Sequence, residues 1–240
     1  ICMSVTHRIL VPFELPDADE VPPVLVDTLA TMEVVLLGHY GLPEQTPPSV
    51  ARDQFEDDAQ TELDGIARRF EEAGVSVTTR LVFGKAREKT INRVALEEDC
   101  DVILTPGDAD AIAEVLVPLR GEANFDRILS FVGELLTATG ASVTLFHTGE
   151  ESDRLPGEEI LADATDRLVE AGVEPDRISR QLSTDDDVER SIVDLGDTFD
   201  LLVLGETEPS LRDRIFGSRP AQVTAGTDDP AFVVRNVEQL

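Results

Sequence analysis

Lysine is almost absent from this chain: Lys85 and Lys89 are the only two, and 49 acidic residues outnumber 20 basic ones for a formal net charge of −29. Neutralising nucleic-acid or lipid phosphates needs clustered Lys and Arg, and no basic stripe exists, which argues against binding to DNA, RNA or an anionic membrane. Cysteine is as scarce. Cys2, at the start of the chain, and Cys100, at the end of a helical pattern, are too few and too unlike in setting for a metal knuckle. Cys100 reads as a small core residue, and a reduced, cytoplasmic setting fits. No stretch approaches the roughly 18 apolar residues that a membrane span needs, and no signal-peptide pattern opens the chain, so direct membrane insertion is not expected. Catalytic signatures are missing too. There is no G-x-S-x-G, no G-x-G-x-x-G, no H-E-x-x-H and no lysine within a Gly-rich phosphate loop, so no catalytic residue and no metal ligand is assigned and the chain is read as a non-enzyme. Gly84-Lys85 taken alone reads as a turn into a helix.

What is present is acidity spread evenly among periodic apolar segments. A disordered acidic tail would concentrate that charge, whereas 41% hydrophobic residues over 240 positions allow one or two ordinary cores. A Lys-poor, Arg-retaining acidic surface is similar to that of proteins from salt-in halophiles, where molar salt screens self-repulsion. Ile1 and Cys2 precede Met3, so either Met3 is the natural start or the piece comes from a longer protein.

Strand patterns alternate with helical ones. Strands are expected from His7 (RILVPFEL), over 33–39, 75–83 and 101–105, with Pro12 allowed only near a strand end. Helices are expected over 17–32, capped by Asp17 or Asp19, over 49–73 with a stripe of Val50, Phe55, Ala59, Leu63, Ile66, Ala67 and Phe70, and over 86–100. A Pro-rich loop is expected over 41–48. After Gly107 the pattern begins again: strands over 114–119, 142–147, 177–182 and 201–204, and helices over 122–139, 157–171 and 186–199. Alternation of this kind means crossover units and parallel sheets. Asp185-Asp186-Asp187 reads as a helix start and solvated surface, with a metal site as the alternative.

The chain repeats itself. Val11-Pro12 answers Val117-Pro118, His39 answers His147, the run 70–75 answers 168–173, and Asp101 answers Asp200, at offsets between 98 (Phe70 to Leu168) and 108 (His39 to His147). His39 and His147 are read as equivalent strand-end residues, either structural or facing a crevice; His7 is expected to be exposed. The most informative stretch, 200–235, holds a short apolar strand ending at Gly205, then Gly217-Ser218-Arg219 where a loop turns into a helix, then a last apolar strand. A glycine lets backbone approach a ligand and free N–H groups at a helix start favour an anion, while a plain Ser N-cap explains the same residues.

That stretch resembles the C-terminal third of universal stress protein domains, whose pattern is Gly, two residues, Gly, nine residues, Gly, then Ser or Thr, before a final "PVLVVR"-like strand. Gly205, Gly217, Ser218 and the run 230–235 match; Glu208 stands where the middle glycine belongs, with eight residues before Gly217. The whole chain is thus similar to a tandem universal stress (UspA-like) protein, with a truncated domain over 7–109 that lacks the glycine loop and last strand and a complete one over 112–238. The resemblance implies an α/β fold of tandem open doubly wound parallel sheets, Rossmann-like and adenine nucleotide alpha hydrolase-like, with ligands beyond the carboxyl ends of the strands. Nucleotide-binding members close the first strand with an Asp; Glu14 and Arg120 occupy that position here.

Carried over, the resemblance places a nucleotide site at Pro118, Leu119, Arg120, Gly121, Gly205, Gly217, Ser218 and Arg219, with ATP or AMP as the candidate ligand. Glu206, Glu208 and Asp213 would repel a triphosphate; Arg120, Arg212, Arg214 and Arg219 would offset them. Three functions stay open: a stress-response regulator acting through assembly or an unidentified protein partner with weak or absent nucleotide binding, an ATP/AMP sensor using the 205–218 loop, and a cytoplasmic regulatory domain of a transporter. A homodimer through the last strand is expected, because the run 231–234 would otherwise be an uncovered sheet edge.

Overall fold

Apolar runs closed by turn residues become parallel strands throughout a computed structural model that describes residues 7–43, 45–119, 124–148, 154–183, 198–206 and 230–236. The chain divides into two compact units, Ile1–Leu104 and Thr105–Leu240. Unit 1 comprises β1 (Arg8–Leu15), α1 (Pro23–Thr28), β2 (Glu33–Gly41), α2 (Pro48–Glu72), β3 (Ser76–Gly84), α3 (Arg87–Glu97) and β4 (Val102–Thr105). Its strands are parallel in the order β3-β2-β1-β4. Unit 2 comprises β5 (Glu114–Pro118), α4 (Phe125–Thr139), β6 (Ser142–Thr148), α5 (Arg154–Glu170), a 3-10 turn (Pro175–Arg177), β7 (Ile178–Ser183), β8 (Leu201–Gly205) and β9 (Ala231–Val234), with parallel strands in the order β7-β6-β5-β8-β9. Each is an open, doubly wound α/β sheet.

The central strands are buried on both faces, as continuous apolar runs require: all but two residues of β1 and all but one of β5 are buried. The flanking strand β3 alternates toward solvent, and β7 has no buried residue. Equivalent helix endings mirror the repeat. Gly74 (φ 88°) and Gly172 (φ 98°) take the left-handed conformation after α2 and α5, and the amides of Val75 and Val173 return to the carbonyls of Phe70 and Leu168, each at 3.0 Å.

Equivalent acidic clamps do the same at the amino end of the sheets. The Asp101 carboxylate accepts from the Arg8 amide at 3.2 Å, and Asp200 accepts from the amides of Ala113 and Glu114 at 2.8 and 2.9 Å. Each ties the entry of its unit's fourth strand to the entry of the first, fixing their register. Asp200→Ala leaves two strand-edge donors to water instead of their charged acceptor and is expected to cost about 0.5–1.5 kcal/mol, read as a lowered urea midpoint with unchanged slope.

Four expectations need correction. The helix expected over 17–32 is only α1, six residues long, because Asp17 is left-handed (φ 68°) and the Pro22-Pro23 pair lets helix begin only at Pro23. Pro12 sits mid-strand, the fifth of eight residues in β1; β4 pairs only with Ile9 and Leu10, so beyond them one side of β1 has no ladder for the missing N–H to break. His7 is buried at 5% exposure, and Val50, placed in the core stripe of α2, is 54% exposed. The helix expected over 186–199 and the acidic cluster 185–187 lie outside the described residues.

Candidate functional site

Both sheets reverse their winding beside the first strand of the unit, between β1 and β4 and between β5 and β8, so a crevice is expected beyond the carboxyl ends of those pairs. In unit 2, Pro118 closes β5 and Gly205 closes the adjacent β8, and both are buried, as is Leu119. Leu119 is held by its backbone: its amide donates to the Phe146 carbonyl at 2.8 Å, and its carbonyl accepts from His147 Nδ1 at 2.7 Å. The fold thus brings Pro118, Leu119 and Gly205 to one end of two neighbouring strands. Arg120, Gly121, Gly217, Ser218 and Arg219 lie outside the described residues, as do Glu208, Arg212, Asp213 and Arg214.

Glu206 is committed rather than facing the crevice freely. Its amide donates to the Val234 carbonyl and its carboxylate accepts from the Asn236 amide, both at 2.8 Å, which binds the end of β8 to the end of β9. Asn124, the left-handed N-cap of α4 (φ 64°), donates through Nδ2 to the same Val234 carbonyl at 2.9 Å. The β9 side chains are themselves buried, none above 3% exposure.

Unit 1 assembles a polar cluster at the carboxyl end of its sheet. Glu14 Oε2 lies 3.1 Å from Arg87 Nε at the start of α3 and 3.5 Å from Nδ1 of His39 on β2. His39 is 1% exposed. Neither of its ring nitrogens has a hydrogen-bond partner among the described residues: the contact with Glu14 is an ion pair in waiting for a charged ring, too long and poorly aimed for a hydrogen bond. Burial lowers the His39 pKa, with Arg87 adding to the fall, while Glu14 works the other way. Two glycines make the room. A Cβ on Gly41 would stand 2.6 Å from Glu14 Oε1, and one on Gly84 would stand 3.4 Å from His39 Nε2.

The two histidines equated by sequence are not equivalent. Register places His39 opposite Glu14, while Pro118 opposite Phe146 puts His147 level with Leu119. With Pro12 and Pro118 superposed, the counterpart of His147 is Gly38 and that of His39 is Thr148, a slip of one residue that sends the rings to opposite faces. Packing agrees. A Cβ on Gly38 would meet Leu63 of α2, whereas His147 fills the corresponding side and faces Gly157 of α5, where a Cβ would lie 2.5 Å from the ring. His39 instead faces α3. The sequence reading missed the Glu14–His39–Arg87 cluster; Gly41 and Gly84, closing adjacent strands, were its only sequence trace.

No family model and no curated protein matches the chain. Solved structures do. The chain is similar to a universal stress protein from Archaeoglobus fulgidus DSM 4304 at 15% identity, covering 98% of both chains with a TM-score of 0.67. It is also similar to a protein described under the same family name from Pseudomonas aeruginosa UCBPP-PA14, at 13% identity, covering 97% of this chain and 94% of that one with a TM-score of 0.53. The shared architecture is the Rossmann-like, adenine nucleotide alpha hydrolase-like α/β fold.

Proposed function

We propose that the chain is a regulatory protein of the universal stress family that acts through assembly or contacts with other proteins and binds nucleotide weakly or not at all. The observation that carries this reading is the occupied carboxylate of unit 1. Glu14 stands where nucleotide-binding members keep an Asp, and its Oε2 lies 3.1 Å from the guanidinium of Arg87, so Arg87 competes with a base for this carboxylate. Unit 1 also passes from the end of β4 at Thr105 to the start of β5 at Glu114, which leaves no length for a glycine loop, a helix and a further strand. Unit 2 keeps the loop glycine Gly205 but carries Arg120 at the carboxylate position and Glu208 at the middle glycine.

A second reading has its own observation. Pro118, Leu119 and Gly205 stand together at the carboxyl ends of β5 and β8, where the fold collects ligands, and Arg120 follows Leu119 in the sequence; a small anion such as AMP is the ligand these residues suit. Titration calorimetry of ATP, ADP and AMP in molar KCl separates the two. Absence of heat at micromolar protein is the expected result. Micromolar binding that disappears in Arg120→Ala would replace the first reading with a nucleotide sensor seated in unit 2.

A further inference from the structure

The Glu14–His39–Arg87 cluster has a property that neither reading uses: a fully buried titratable ring whose two nitrogens have no partner among the described residues, next to an ion pair that holds its anionic neighbour. Several elements face the ring. From β1 comes Glu14; from β3 the backbone of Gly84, which leaves room beside Nε2; from α3 come Arg87 and the Thr90 hydroxyl, which donates to the Ala86 carbonyl at 3.0 Å and so offers the ring no proton. Among the described residues, Glu14 and Arg87 are the charged groups acting on it.

We propose that His39 is an acid-operated latch on the carboxyl end of the unit 1 sheet, neutral when it leaves Glu14 to Arg87 and protonated when it competes with Arg87 for Glu14 and loosens the start of α3. The neutral ring carries the desolvation cost of two unpartnered nitrogens but no buried charge. Adding a proton at Nδ1 creates a buried cation, which is tolerable only beside an anion. Glu14 Oε2 is already within 3.5 Å and needs to move by about 0.6–0.8 Å to accept a charge-assisted hydrogen bond. Glu14 is half-exposed while His39 is enclosed, so Glu14 is the partner that moves. Arg87 then shares its counter-ion with the charged ring, which weakens the tie between β1 and the first turn of α3.

The direction of the pH response is set by burial. The unfolded chain accepts a proton on His39 near the ordinary value of about 6.5, which the folded chain refuses, so unit 1 loses stability as pH falls below that value and keeps it above. The latch therefore stays shut at neutral pH and yields under mild acid.

The chain carries its own reporter. Tyr40 is its single tyrosine and tryptophan is absent. The Tyr40 ring comes next after His39 in β2 and stacks on Phe83 at 5.0 Å and on Phe55 at 5.4 Å between centroids, so its fluorescence reads this corner alone. The test is a titration from pH 7.5 to 4.5 in molar KCl, monitoring Tyr40 emission together with the imidazole carbon–proton NMR signals of the three histidines. The expected result is a one-proton step in Tyr40 emission below pH 6.5, coincident with the His39 signal and absent in His39→Gln, while His147→Gln leaves it in place. Glu14→Gln should move the step to still lower pH by removing the anion that favours the charged ring. A His39 signal that titrates at the ordinary value, or a Tyr40 step that occurs without it, overturns the proposal. Should His39→Gln fail to fold, judged by far-UV circular dichroism at pH 7.5, coincidence of the two signals in the unmodified chain and their joint shift in Glu14→Gln decide the matter.

Discussion

Phe232→Ala removes about 3–5 kcal/mol of stability, roughly a fifth or more of the about 5–15 kcal/mol a domain ordinarily has, and drops the urea midpoint in molar KCl with little change of slope. The reason lies at the contact of β9 with α4. Phe232 and Phe131 are both 0% exposed. Their rings meet edge to face at 5.0 Å and 65°, a geometry that adds to the area they bury. Truncation opens a cavity between a strand and a helix that are each held by other contacts, so the gap cannot close fully. Phe55→Ala is the control. Phe55 also makes an aromatic stack, on Tyr40, but it is only partly buried on the outer half of α2, and its loss is expected to cost about 1 kcal/mol. Equal losses from the two variants would mean that ring stacking rather than buried volume holds these elements.

The same contrast explains what could be read from the sequence. Runs such as Leu201–Gly205 were legible because a strand buried on both faces must be apolar without interruption and must end at a turn residue. The helix endings at Gly74 and Gly172 and the clamps at Asp101 and Asp200 were legible as repeated residues, since each does its work within a few positions of a strand or helix end. Pro118, Leu119 and Gly205 were placed correctly at strand ends for that reason. Register was not legible. Whether His39 lies opposite Glu14 or one residue away is decided by which side chains fit between β2 and the helices on either side, and the offset that aligns the two histidines differs by two residues from the one that aligns the two prolines. The Glu14–His39–Arg87 cluster escaped because its members come from three elements separated by long stretches of chain. Nothing in local spacing brings 14, 39 and 87 together.

Lowering the salt is expected to unfold the protein without any substitution. A net charge of −29 on a body of about 20 Å radius repels itself by on the order of 50 kcal/mol when the Debye length is about 30 Å, and by about 10 kcal/mol when it is about 3 Å. An expanded chain keeps roughly a quarter of either amount, so going from about 1 M to about 10 mM salt costs the folded state on the order of 30 kcal/mol by this upper estimate. Bound counter-ions reduce the figure, but even a third of it matches the whole stability of an ordinary domain, about 5–15 kcal/mol. Local pairing does not rescue it. The exposed pairs Arg52–Glu56 and Arg93–Glu97 are single-turn helix contacts worth a few tenths of a kcal/mol each. Circular dichroism during stepwise dilution of KCl should therefore show cooperative loss of structure well above 10 mM salt, and NaCl should restore it at equal ionic strength. Sucrose separates screening from solvent exclusion: an osmolyte strengthens apolar burial without shortening the Debye length, so it should leave most of the low-salt loss in place. Retention of the full spectrum and an unchanged urea midpoint in 10 mM buffer would show that the acidic side chains are far enough apart, or bind ions tightly enough, that the mean charge does not govern this fold.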